Sequence, residues 1–288
     1  MAPVLVTGAT GLLGAVLVPA LSRAGFAVVR HGATRSADVN ADLRSTATAR
    51  EALDRVKPGT IINLVALTDV DHCEERPREA FSVNVRTAEH LASWIGANPG
   101  TRMIQVSTDQ VYDGAGPHRE ADVSPLNIYA YSKYCAEQAA ARAGATILRV
   151  NFFGQLRQAR PTFSEWISAG LERGERVPLV HDVLFSPLHA DTLCRAIVRV
   201  TEGGMSGTFN LGSRSGMSKC DFGLLAARTL GLDAGLIRPV ALAELGLRAR
   251  RPRDMRMDVS AFESAYAMTM PDLKQEISLL EKHNARQA

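Results

Sequence analysis

Thr7-Gly8-Ala9-Thr10-Gly11-Leu12-Leu13-Gly14 follows a short apolar run, Pro3 to Thr7, and opens a mostly apolar stretch from Leu12 to Ala24. A strand, a glycine-rich turn and a helix in that order form an anion cradle. Gly8 permits the sharp turn off the strand. Gly11 has no Cβ, so a pyrophosphate can reach the helix N-terminus, where free N–H groups and the helix dipole favour negative charge. Gly14 lets helix and strand pack closely. A tight turn with chance glycines would have the same spacing; the strand before it and the helix after it make it a dinucleotide signature.

Outward from this turn, short apolar runs alternate with helical patterns. Strands are expected at Phe26–Arg30, Thr60–Leu64, Met103–Ser107 and Thr146–Val150. Helices are expected over Thr46–Val56, Pro77–Ala97 and Ile128–Arg142. Strands that are apolar on both faces and separated by helices belong to a parallel sheet covered on both sides. The fold class is therefore α/β, a Rossmann-type doubly wound parallel sheet, with ligands at the strand C-termini. Residues 1–150 form the expected dinucleotide-binding domain. After Val150 the pattern loosens into helices at Phe163–Arg173, Asp191–Val200 and Ser218–Leu230, with strand-like runs at Val177–Leu179 and Gly207–Leu211. Residues 151–288 are read as a smaller substrate-binding region, partly interleaved with the sheet. Pro19 is awkward inside the first helix, where it removes a hydrogen bond.

Composition narrows the function classes. Of 288 residues, 46% are hydrophobic and 22% charged, as in ordinary globular chains. The net charge of +3 is small, and arginines cluster only from Arg248 to Arg256, which suits an anionic small molecule rather than nucleic acid. Cys73, Cys135, Cys194 and Cys220 lie far apart, forming neither a zinc pattern nor a disulfide framework, and so point to a reducing cytoplasm. No metal ligand set, signal peptide or membrane span is expected.

The chemistry is expected where Tyr129 and Lys133 stand four residues apart on one helix face. A phenol with a pKa near ~10 is a poor acid at neutral pH. An ammonium about 4 Å away favours the phenolate by on the order of 4 kcal/mol at an effective dielectric of ~20. Thr108, ending the preceding strand, supplies a neutral donor for a carbonyl oxygen that gathers charge. Ser107 is its rival but is expected to point into the sheet. Asn84 reads either as an anchor for a relay water or as a buried cap. Where the second strand ends, Arg30-His31-Gly32 with Arg35 carries no acid, and an arginine there suits a ribose 2′-phosphate. NADP(H) is therefore expected, with NAD(H) as the alternative.

Taken together, these signals resemble the extended short-chain dehydrogenase/reductase family, and within it the dTDP-4-dehydrorhamnose reductases. The resemblance covers nearly the whole chain. It rests on the glycine turn, Thr68-Asp69-Val70-Asp71 with Glu74, Ser107-Thr108-Asp109-Gln110-Val111-Tyr112-Asp113-Gly114, Pro125-Leu126-Asn127-Ile128-Tyr129 with Ser132-Lys133 and Glu137, and Arg251-Pro252 with Met257-Asp258. It implies that Thr108 and Tyr129 bind a keto oxygen and that Lys133 holds the nicotinamide ribose. It further implies that Gly8, Thr10, Gly11 and Leu12 wrap the pyrophosphate, with Asp42 and Leu43 beside the adenine. Ala66 would line the cofactor groove, and the backbone near Asn151 and Phe152 would meet the nicotinamide. The substrate would be a nucleotide-linked keto-sugar touching Thr68, Val70, Thr108, Asp109 and Arg251, with Arg253 the rival to Arg251 for its diphosphate. A homodimer is compatible with the resemblance. Two positions depart from the family's habit: Ala130 follows Tyr129 where glycine is common, and Gln110 stands where tyrosine is favoured. Gln110 also cannot act as the base that related dehydratases use there. Competing readings are a non-catalytic regulatory subunit, like that of methionine adenosyltransferase, and a sugar-nucleotide epimerase.

Overall fold

A computed structural model describes residues 2–33, 37–156, 158 and 160–281. Seven parallel strands form the central sheet. In chain order they are β1 (Val4–Thr7), β2 (Val28–Gly32), β3 (Val39–Asn40), β4 (Thr60–Asn63), β5 (Arg102–Thr108), β6 (Thr146–Val150) and the strand Gly207–Leu211. Across the sheet the order runs from Gly207–Leu211 through β6, β5, β4, β1 and β2 to β3. The winding reverses between β1 and β4, and a crevice opens there above the strand C-termini.

Side-chain alternation explains why both faces are covered. Val4 and Val6 pack under α1 (Leu12–Arg23) and the helix Ala190–Gly203, whereas Leu5 packs with Leu53 and Leu91 on the other face. Polar groups near the crevice floor satisfy one another. Thr7 donates to Asn63 at 2.6 Å, and Asn63 donates to Gln105 at 2.8 Å. Beyond β6 a second apolar core forms around Phe153, Ile167, Phe185 and Phe222. The strand Gly207–Leu211 nevertheless returns to the main sheet beside β6.

Three local features differ from expectation. The second strand runs Val28–Gly32 rather than Phe26–Arg30. The helix expected over Pro77–Ala97 is interrupted by a π-helical turn, Ser82–Arg86, which sets Asn84 into the interior. Pro19 is tolerated because it lies on the exposed face of α1, where the carbonyl it deprives of a donor is open to water. No described helix is long and apolar enough to cross a membrane.

Candidate active site

The helix Ile128–Ala141 holds the candidate residues Tyr129 and Lys133, and three contacts fix its N-terminus. Asn127 accepts the Ala130 N–H at 2.9 Å and donates to the Arg250 carbonyl at 2.8 Å; Glu74 accepts the Ile128 N–H at 3.0 Å. Tyr129, Lys133 and Glu137 then share one buried face. Tyr131 and Tyr134 face an outer groove beside Glu120, as their spacing from Lys133 requires.

At the end of β5 the Thr108 side chain lies beside the Tyr129 phenol and pulls its pKa downward. Thr108 also donates to Asp109 at 3.3 Å, and Asn151 donates to the other oxygen of Asp109 at 2.6 Å. Burial pushes the Asp109 carboxyl up to about 6, against the pull of Asn151, Lys219 and Thr108. Ser107 donates to Glu137 at 2.5 Å, so it faces away from the crevice as expected.

The expected lowering of the Tyr129 pKa by Lys133 is not found in the cofactor-free site. Burial pushes the phenol up to about 12; Thr108 opposes this and Asp109 adds to it, and Lys133 is not among the main influences. The reason is geometric. The Lys133 ammonium donates to the Val106 carbonyl at 2.8 Å, and burial lowers its own pKa to about 8 against the pull of Glu137.

The glycine turn has the shape its sequence requires. Gly8 sits at φ +67, where a Cβ would press on the Val65 N–H at 3.0 Å. Gly11 caps α1 without any side-chain cap, and the first turn of the helix carries no acid. A Cβ on Gly14 would lie 2.4 Å from the Ala9 carbonyl oxygen, so this glycine packs against the turn itself. Open amides at an uncapped, acid-free helix start suit a pyrophosphate. Thr10 lies against Gly32 at the end of β2. Asp42 and Leu43 lie at the same edge beyond β3, and Ala66 lies in the loop after β4. Leu43 is pinned by His90, which donates through Nδ1 to its carbonyl at 2.8 Å.

The expectation of an acid-free arginine at the end of β2 needs correction. Asp38 binds Arg30 through two hydrogen bonds, the shorter 2.6 Å. Both side chains are nearly half exposed, so solvent screens the pair and it exchanges readily. Arg35 lies outside the described residues.

A family model described as the RmlD substrate binding domain matches residues 1–285. The chain belongs to this family. It is 34% identical to a probable low-salt glycan biosynthesis reductase, Agl14, of Haloferax volcanii, over 96% of each chain. It is 31% identical to a dTDP-4-keto-6-deoxy-D-glucose reductase of Streptomyces niveus, over 86% of each. Its fold superposes on the dTDP-4-dehydrorhamnose reductase of Bacillus anthracis, solved with NADP, at TM-score 0.89 and 22% identity, covering 98% of this chain and 99% of that one.

Several of the residues expected on the substrate side lie near one another. Thr68 accepts from Arg160 at 2.9 Å, and Val70 is buried at the start of a short helix. Asp71 binds Arg251 at 3.0 Å and the Ala249 N–H at 2.8 Å, tying this helix to the late arginine segment. Arg251 lines a cavity near Asp109; Arg253 instead faces solvent beside Asp182. Phe152 pairs with Leu188 just beyond β6. Asn84 proves to be the buried cap: its amide bonds both backbone groups of Leu67 and donates to Ser132 at 2.8 Å. Sequence reasoning missed Arg160, Lys219 and Arg149, the buried partner of Glu137. No motif marks these three, and contacts with other elements bring each into place.

Proposed function

We propose that this protein reduces the 4-keto group of a nucleotide-linked deoxysugar with NADPH, NADH being the weaker alternative. The observation that carries this reading is the Thr108 side chain set beside the Tyr129 phenol, one helical turn from Lys133, together with an uncapped glycine turn. When bound, the dinucleotide supplies a hydride to the carbonyl carbon. Thr108 holds the carbonyl oxygen, and Tyr129 delivers the proton to it, so the ketone becomes an alcohol.

A phenol at about 12 gives up its proton reluctantly, and the phenolate left behind needs a cation. Lys133 has three donors; one is spent on Val106, leaving two for the ribose and the phenol. Arg30 binds a 2′-phosphate by exchanging its exposed partner Asp38 for a stronger anion. Arg251 faces the substrate diphosphate, and the enzyme works in the cytoplasm, where its unpaired thiols stay reduced.

The test is steady oxidation of NADPH with a dTDP- or UDP-linked 4-keto-6-deoxysugar, with the product alcohol identified by mass. The proposal predicts equal amounts of cofactor oxidised and sugar reduced. Tight NADPH binding without turnover on any such sugar would contradict it.

A further inference from the structure

Beside the crevice, a cavity of about 150 Å³ runs outward from Gln110 between the helix Phe163–Glu172 and the segment around Arg251. Most of its lining is apolar. Trp166, Leu245 and Leu247 are large hydrophobic side chains left exposed, and all three line this one cavity. The lining also carries two cations, Lys219 and Arg251. Arg251 is already paired with Asp71.

Lys219 is different. It is the first residue of the helix Lys219–Thr229, so its ammonium adds to the positive end of that helix. The chain holds it 5.6 Å from the Phe163 ring centre and 5.9 Å from that of Phe185. Among the described residues the ammonium has no hydrogen-bond or ion-pair partner. Burial keeps its pKa below the ordinary lysine value; Asp109 opposes this and Arg251 reinforces it. A half-buried cation that repels Arg251 and has Asp109 near it only beyond ion-pair distance is better stabilised when an anion arrives. Gln110, which also lines the cavity, has a buried carbonyl oxygen without a donor.

The cavity brings together the kinds of group that bind a sugar nucleotide: a hydroxyl acceptor at Gln110, two cations at Lys219 and Arg251, and an apolar lining with the Trp166 indole. Gln110 stands two residues after Thr108, so the cavity adjoins the candidate carbonyl site. We propose that Lys219 is a substrate-recognition residue, clasping the diphosphate linkage between itself and Arg251 while the base lies against Trp166. The assignment rests on the nucleotide-linked substrate proposed above. An acidic group on the sugar is the other anion that could reach Lys219, and the experiment separates the two.

The test titrates free dTDP and UDP into the NADP-loaded protein by calorimetry, for wild type, Lys219→Met, Lys219→Gln and Lys219→Arg. Wild type is expected to bind, and the two neutral variants to bind about ten- to a hundredfold more weakly. Lys219→Arg should stay within about threefold of wild type. In turnover the loss should appear in KM, with kcat and NADPH affinity little changed; unchanged NADPH affinity also certifies the fold of each variant. Unaltered nucleotide affinity in both neutral variants would overturn the assignment while leaving the reductase reading intact. A raised KM with unaltered nucleotide affinity would move the lysine to an acid on the sugar, overturning the diphosphate contact. Wild type that binds no nucleoside diphosphate would overturn the nucleotide-linked reading, and the lysine's role with it.

Discussion

The two sides of the helix Ile128–Ala141 are built to opposite rules. Behind it a chain of buried polar groups answers one another. Glu137 pairs with Arg149 at 2.7 Å with both side chains almost fully buried; Arg149 donates to Tyr112 at 2.7 Å, and Tyr112 to Asn210 at 2.6 Å. In front, burial outweighs the partners that are present: Asp109 is pushed up to about 6 and Tyr129 to about 12, Lys219 has no hydrogen-bond or ion-pair partner among the described residues, and the Gln110 carbonyl is orphaned. Buried polar groups cost stability unless satisfied, so the closed side rigidifies the helix while the open side holds energy in readiness for a ligand. Glu137 serves both sides. It anchors Arg149 behind and pulls the Lys133 pKa upward in front.

Breaking the closed side should have the largest effect. Glu137→Gln strands a buried guanidinium and is expected to cost about 3–5 kcal/mol in chemical denaturation. A loss under 1 kcal/mol would mean that water reaches the pair. Gly14→Ala forces a methyl onto the Ala9 carbonyl; it should cost about 1–3 kcal/mol and weaken NADPH binding, read by fluorescence titration.

On the open side the sign should reverse. The folded-state pKa of Asp109, about 6, lies above its ordinary 3.8. Its favourable contribution is therefore present below about pH 4 and is lost as pH rises through 6. Asp109→Asn should match wild type near pH 4 and become more stable by about 1–3 kcal/mol at pH 7, while turnover falls. A stability gap that does not widen with pH would show that the carboxylate is solvated. The smallest effect is expected at the helix start, where Asn127→Ala should cost about 1 kcal/mol in thermal unfolding.

How much of this was legible follows from the range of each interaction. The glycine turn and the Tyr129–Lys133 spacing are local, and the alternation of strands and helices repeats along the chain, so the fold class could be read directly and the candidate reactive pair picked out by its spacing. The counterion of Arg30 was missed although Asp38 is only eight residues on, because it is the intervening turn that brings the carboxylate back. Tyr129 and Lys133 share a face as their spacing demands, yet spacing could not show that the ammonium would prefer the Val106 carbonyl. The π-helical turn at Asn84 is set by the Leu67 loop, and the Asp71–Arg251 tie spans most of the chain. Lys219 belongs to no pattern; two aromatic rings from separate elements give it its place.

The central claim is that a phenol, an ammonium and a hydroxyl reduce a ketone at the edge of a dinucleotide crevice. Tyr129→Phe tests it most directly, because it removes one oxygen from a buried site and leaves the glycine turn untouched. The account predicts that single-turnover reduction slows by at least ~10²-fold while NADPH affinity stays within a factor of two. A variant that reduces the sugar at near wild-type rate would contradict it.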